Sequence, residues 1–204
     1  MDIIESIKNK NSIITSNPGG GSTSLGLYIV NNLILDNNII YFNTTFNLDN
    51  NYIYKNYNNL YNNCIIMQSS IEHFFNYIND ISGILDDIDY IIIDTADIMG
   101  KDSLKNLVDL LNLFNVNLIC TSQLRVNPNN SQPYSTVEQW NKQLIIPIFN
   151  CSIWIRKVNE PGNFNRKYID IYNNYRIGNH YSKRFILNFN EKDGTISGDI
   201  NERN

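Results

Sequence analysis

The sequence predicts an α/β protein whose central sheet is mostly parallel, flanked by helices and closed by antiparallel strands. Three observations predict it. Short, wholly apolar runs alternate with helix-length amphipathic stretches through residue 120. Strands of that composition are buried on both faces, which a parallel sheet under crossover helices provides. A Gly-rich turn, NPGGGSTS, separates the first strand from the first such helix, and after residue 121 the remaining strands are spaced like antiparallel hairpins.

In order, residues 1–11 form a lead-in, and residues 12–15 (SIIT) form a strand running into the Gly-rich turn. Residues 25–35 have helical spacing. Residues 38–42 (NIIYF) and 64–67 are the next strands, and 71–84 again carry apolar residues at helical intervals. Residues 90–93 are a fully apolar strand ending on Asp94. Residues 103–114 (SLKNLVDLLNLF) are the clearest amphipathic helix, followed by a strand at 116–120. A polar loop then leads to strands at 152–158, 168–172 and 184–189, and residues 191–204 are expected to be a flexible tail. No linker or internal repeat interrupts the 204 residues, so one domain is expected.

Composition narrows the class. The chain holds 37 Asn and 33 Ile against one Ala, Ala96, a pattern of AT-rich coding rather than of chemistry. With 42% hydrophobic and 12% aromatic residues it has enough apolar surface to fold despite the Asn. Three widely spaced cysteines, Cys64, Cys120 and Cys151, read as buried thiols of a reducing compartment. No Cys/His ligand cluster points to zinc. The opening MDIIESIKNK lacks the apolar core of a signal peptide, and no run has the length of a membrane span. An intracellular, soluble protein is expected.

Charge is unevenly distributed. Residues 1–100 hold three Lys, no Arg and 11 acids, whereas residues 121–185 hold nine bases and three acids. Every Arg lies at or after position 125, and Arg suits forked phosphate contacts better than Lys. The basic segment is either a solvated face or a site for a polyanion.

Two motifs carry chemistry. A Gly-rich loop between strand and helix can cradle phosphates on free backbone N–H groups and the helix N-terminus. In residues 17–24 the glycines are Gly19, Gly20 and Gly21. A full P-loop, GxxxxGK[ST], also needs a Lys on the terminal phosphates and a hydroxyl on magnesium. Here Ser22 or Thr23 takes the Lys position, depending on register, so the cradle lacks its Lys. The alternative is a Gly-rich turn with no ligand. The second motif is DYIIIDTAD, in which Asp94 ends a buried strand, the position from which nucleotide-binding α/β proteins hold magnesium.

With these segments in this order, residues 12–190 resemble the RecA-type recombinase core, the family of bacterial RecA and its eukaryotic and archaeal relatives. YFNTTFNLD looks like the segment carrying the family's water-activating Glu, which places Thr45 on that Glu and Asn43 on the preceding Asp. IIIDTAD is similar to the family's VVDS motif and sets Asp94 on its Asp. LICTSQLR resembles the strand whose Gln senses the terminal phosphate, so Gln123 takes that role and Arg125 the basic position beside it. Residues 126–140 then match the second DNA-binding loop in position. The closing strands look like those of the eukaryotic members.

The departures from the family govern the expected function. Phosphoryl transfer is mostly positioning and electrostatics, so losing the Lys and the Glu together removes the means of hydrolysis. No enzyme and no cofactor are expected, with weak ATP and magnesium binding left open. The family's N-terminal domain, with its linker to the next subunit, has no counterpart here, which argues against a self-polymerising filament. What the resemblance then implies is a non-catalytic recombinase paralogue, similar to the subunits of the yeast Shu complex. Such a protein would pair with another RecA-like paralogue, bind single-stranded or junction DNA in the nucleus, and help a recombinase filament assemble. A bacterial or viral origin would place it in the cytoplasm.

Candidate phosphate contacts are Arg125, Lys142, Arg156, Lys157, Arg166 and Lys167. Tyr134 or Trp140 could stack on a base, or Trp140 could anchor a helix in the core. Two alternatives stay open: a pseudo-ATPase scaffold that binds a partner or nucleotide without DNA, and an active enzyme whose Lys and acid come from a partner subunit. Codon drift explains Asn43, but Lys codons are themselves AT-rich, so the absent Lys is the informative gap.

Overall fold

In a computed structural model, residues 3–45, 48–96, 99–123, 148–157, 165–173, 183–190 and 192–202 are described. Of the expected features, the loop at 126–140 with Tyr134 and Trp140, and the basic residues Arg125 and Lys142, lie outside them.

The described strands form one nine-stranded sheet in the order β3-β2-β4-β5-β1-β6-β7-β8-β9. The strands are β1 (Ser12–Ser16), β2 (Ile39–Asn43), β3 (Ile65–Gln68), β4 (Tyr90–Asp94), β5 (Asn117–Gln123), β6 (Cys151–Lys157), β7 (Arg166–Asn173), β8 (Lys183–Phe189) and β9 (Ile196–Glu202). Pairing from β3 through β6 is parallel, and from β6 through β9 antiparallel. The helices are α1 (Ile3–Ile7), α2 (Ser22–Leu33), α3 (Asn50–Asn56), α4 (Asn58–Asn63), α5 (Ile71–Asp80) and α6 (Lys101–Leu113), with a 3-10 turn at Ser82–Asp87.

Alternation along the strands builds two cores. Ile14, Ile39, Tyr41, Tyr90, Ile92 and Ile119 face α1 to α4, and this core continues across β6 to β8 through Ile153, Ile155, Ile169, Ile171, Phe185 and Leu187. Ile13, Ile40, Phe42, Ile91, Ile93, Leu118 and Cys120 face α5 and α6. Both faces of the central strands are therefore apolar, which is why they read as unbroken hydrophobic runs.

Two expectations are corrected, the helical stretch at 71–84 and the tail at 191–204, and two stretches with no expected element hold helices. The lead-in contains α1, whose Ile3 and Ile7 are fully buried. The amphipathic stretch from residue 71 ends as a helix at Asp80, because Ser82-Gly83 turns the chain into the 3-10 segment. Residues 50–63 hold two short helices, α3 and α4, joined at Tyr57. The supposed tail contains β9, which pairs with β8 and extends the sheet.

The β1–α2 connection positions the site. Gly20 N–H donates to Asn17 O at 2.7 Å, with Pro18 second in the turn and Gly19 third at φ +68°, the residue pattern of a type II turn. A Cβ on Gly20 would lie 2.5 Å from Ser16 Cβ, so only glycine fits there. Gly21 then caps α2 at φ +99°. Farther along, Gly26 lets α2 settle onto β5: a Cβ there would stand 3.1 Å from Thr121 Cγ2. Gly26→Leu should therefore cost about 1–3 kcal/mol by overpacking this contact. Urea unfolding measures it, and an unchanged midpoint would show that α2 is not seated on Thr121.

Candidate functional site

Strand order sets β4, β5 and β1 side by side with β2 beyond β4, so their C-terminal ends converge beside the Gly-rich turn. At that convergence the Asp94 side chain is almost fully buried. Its Oδ1 accepts from Thr23 Oγ1 at 3.0 Å, in the first turn of α2, and from Thr121 Oγ1 on β5. Its Oδ2 accepts from Asn43 Nδ2 at 3.1 Å, on β2. Thr23 is thus the hydroxyl that meets the acid, and Ser22, buried, stands in the Lys position.

Asn43 is oriented by its successor. Its Oδ1 accepts from Thr45 N at 3.1 Å and Thr45 Oγ1 at 3.3 Å, which turns its amide N–H groups toward Asp94. Thr45, set by resemblance on the catalytic Glu, here holds an amide in place. Beyond Asp94 the chain is strained, since Thr95 is β-branched and sits at φ +68°. Such a conformation costs about 1–3 kcal/mol and survives only when its surroundings over-determine it. Here Thr95 N donates to Thr121 Oγ1 at 2.8 Å, and Thr44 Oγ1, 2.9 Å from the carbonyls of both Asp94 and Thr95, shares its one proton between them.

Burial lifts the Asp94 carboxyl above its ordinary range, and the hydrogen bonds from Thr121, Thr23 and Asn43 pull it partly back. Neighbouring Tyr41 is wholly buried, and its hydroxyl, which faces the Asp94 carboxyl, makes no hydrogen bond within 3.5 Å among the described residues. Burial and the Asp94 charge both raise its pKa, so it stays neutral. Gln123 ends β5 opposite Ser16, exposed at the rim of the same region.

The basic residues fall into two groups. Arg156 and Arg184 both bond Asp170, which has no exposed surface, Arg184 through Nε at 2.5 Å and Nη2 at 3.2 Å. Their guanidinium carbons stand 5.3 Å and 4.9 Å from the ring centroids of Trp154 and Tyr168. Arg156, expected on DNA, is therefore held within its own sheet. Arg166 shares that face by alternation along β7 and is half-buried.

The second group lies on the opposite face. Lys157 and Lys167 are paired neighbours across β6 and β7. Lys167 Nζ donates to Gly20 O at 2.6 Å and sits 4.1 Å from the Phe189 ring centroid. Burial, and then the charge of Lys157, lower the Lys167 pKa. Sequence reasoning placed both lysines on DNA and missed their approach to the Gly-rich turn. Only the β6–β7 register could have revealed it, and strand length alone does not fix a register.

All three cysteines are thiols outside any disulfide; Cys120 and Cys151 are buried, and burial pushes the half-buried Cys64 thiol up to about 12. Among the described residues no group of three His, Cys, Asp or Glu is placed to hold a metal ion, and no helix is long and apolar enough to cross a membrane. No protein-family model and no curated protein matches the chain.

The Asp94 cage makes a signed prediction. Because the folded carboxyl titrates above the unfolded value of about 3.9, its stabilising contribution is full below that pH and is lost as pH rises through the folded value. The ¹³Cγ resonance of Asp94 should titrate above 3.9 or so, and higher still in Thr121→Val, which removes one donor. A midpoint at or below that of a free Asp, or a downward move in Thr121→Val, would contradict the assignment.

Proposed function

We propose that this chain is a non-hydrolysing nucleotide-fold subunit of the RecA-like type, a recombinase paralogue that assists recombinase assembly on DNA. The observation that carries the proposal is the Thr23–Asp94 hydrogen bond. It joins the hydroxyl of a Gly-rich β1–α2 connection to a strand-end acid, the pairing a nucleotide site uses around magnesium. Ser22 stands where the phosphate-binding Lys would be, and Thr45 where the base would be. The frame is kept and its reactive groups are replaced. The order β4-β5-β1, with Gln123 on the middle strand, supports the same reading.

A second reading, a pseudo-ATPase scaffold without DNA contact, is favoured by one observation: Asp170 already engages Arg156 and Arg184. DNA contact would then rest on Arg125 and Lys142, which flank the polar loop in sequence.

Purified protein should hydrolyse ATP no faster than buffer with magnesium, and robust magnesium-dependent turnover would refute the proposal. In the same preparation, single-stranded DNA should bind with a log–log salt slope of roughly −1.4, as expected for about two neutralised phosphates. Reversing Arg125 and Lys142 to Glu should abolish that binding, whereas Arg156→Gln should lower the unfolding midpoint and leave the slope alone. No DNA binding at low salt would decide for the scaffold.

A further inference from the structure

A cavity of about 270 Å³ lies between the Gly-rich turn and the closing strands. Its floor is Gly19, Gly21 and Ser24, and its wall carries Lys157, Lys167 and Phe189. The β8–β9 turn closes it at Gly194, where a Cβ would stand 3.0 Å from Ser24 Oγ.

The charge there is one-sided. Two lysines converge, and no acid lines the cavity among the described residues. Lys157 is exposed and has no ion pair or hydrogen bond with a described residue. Lys167 gives one donor to Gly20 O and leans on Phe189, and an ammonium has three donors. Gly21, the cap of α2, supplies no side-chain acceptor to the first-turn N–H groups of a 12-residue helix. That adds the positive end of the helix dipole to the two ammonium groups. Like charges repel, so holding Lys157 and Lys167 together costs stability that an anion between them would recover. Gly21 also keeps the way clear, since a Cβ there would lie 3.0 Å from Lys167 Nζ and 2.7 Å from Phe189 Cε1.

We propose that Lys157 and Lys167, reaching the Gly-rich turn from the closing strands, form with it a site for a short oligophosphate anion. The lysine missing at Ser22 is thereby supplied from β6 and β7. Two consequences set this site apart from a nucleotide site. At about 270 Å³ the cavity is a little smaller than the roughly 300–1,000 Å³ of drug-sized sites, a size that suits a phosphate chain. The two ammonium groups would neutralise the anion without calling on Thr23 and Asp94, which are bonded to each other. The inference uses only the loop, β6, β7 and the β8–β9 turn, and stands apart from the recombinase proposal.

Isothermal titration of the full chain with tripolyphosphate, in low salt and without magnesium, tests it. Tripolyphosphate and ATP should bind with similar affinity. Lys157→Gln and Lys167→Gln should each weaken both by about tenfold or more, the loss expected for a charge-assisted hydrogen bond. Lys8→Gln, at an exposed position paired with Glu5, should change nothing. If Lys167→Gln fails to fold, Lys157→Gln and Lys157→Glu carry the test, since Lys157 is exposed. Absence of tripolyphosphate binding, binding unchanged in the Lys157 variants, a strong magnesium requirement, or a large preference for ATP would each overturn the proposal. So would a single-stranded oligonucleotide that binds through Lys157 while tripolyphosphate does not.

Discussion

A buried carboxylate is the constraint on which the centre of this molecule depends. Asp94 ends β4 with almost no exposed surface, and burying an unpaired charge is among the costliest things a fold can do. No cation meets it among the described residues; neutral donors from α2, β5 and β2 do. Because each donor comes from a different element, satisfying one side chain fixes the start of α2 and the ends of three strands relative to one another. Thr95, strained beside it, is held by the same network. A site of this kind is rigid, and its acid is occupied by the protein's own hydroxyls.

The closing strands solve a different electrostatic problem. Alternation sends Arg156, Asp170 and Arg184 to one face and Lys157 and Lys167 to the other, so a single basic stretch of sequence becomes two environments. On the first face a carboxylate answers both guanidinium groups. On the second, two ammonium groups face a turn made of glycines, with a carbonyl and an aromatic ring as their partners among the described residues. Net charge per segment could not separate these cases, because it does not record which side of a strand each residue takes.

Most of the sheet was legible because its strands are buried on both sides. Residues 39–43 and 90–94 carry almost nothing but apolar side chains, and their ends fall within a residue of the expected ones. The misses share a cause. Helices α3 and α4 bury only Ile53 and Leu60, respectively, so their Asn-rich sequences show no apolar stripe. Strand β9 follows a tight turn at Gly194 and looked like a polar tail. At the site, Asp94 and Thr23 were readable from local order. Thr121 was not, because its role comes from pairing β5 between β1 and β4, a contact between residues far apart in sequence.

If Asp94 now serves the fold rather than a reaction, its removal must cost stability in the bare protein. The direct measurement is the unfolding free energy of Asp94→Ala by urea, with no nucleotide or metal present. The account predicts a loss of about 2–4 kcal/mol, since Asn43, Thr23 and Thr121 would be left with unmet donors around a cavity. A carboxylate retained for catalysis would give the opposite sign, because reactive groups are commonly held at the expense of stability. A variant as stable as the parent, or more so, would contradict the account.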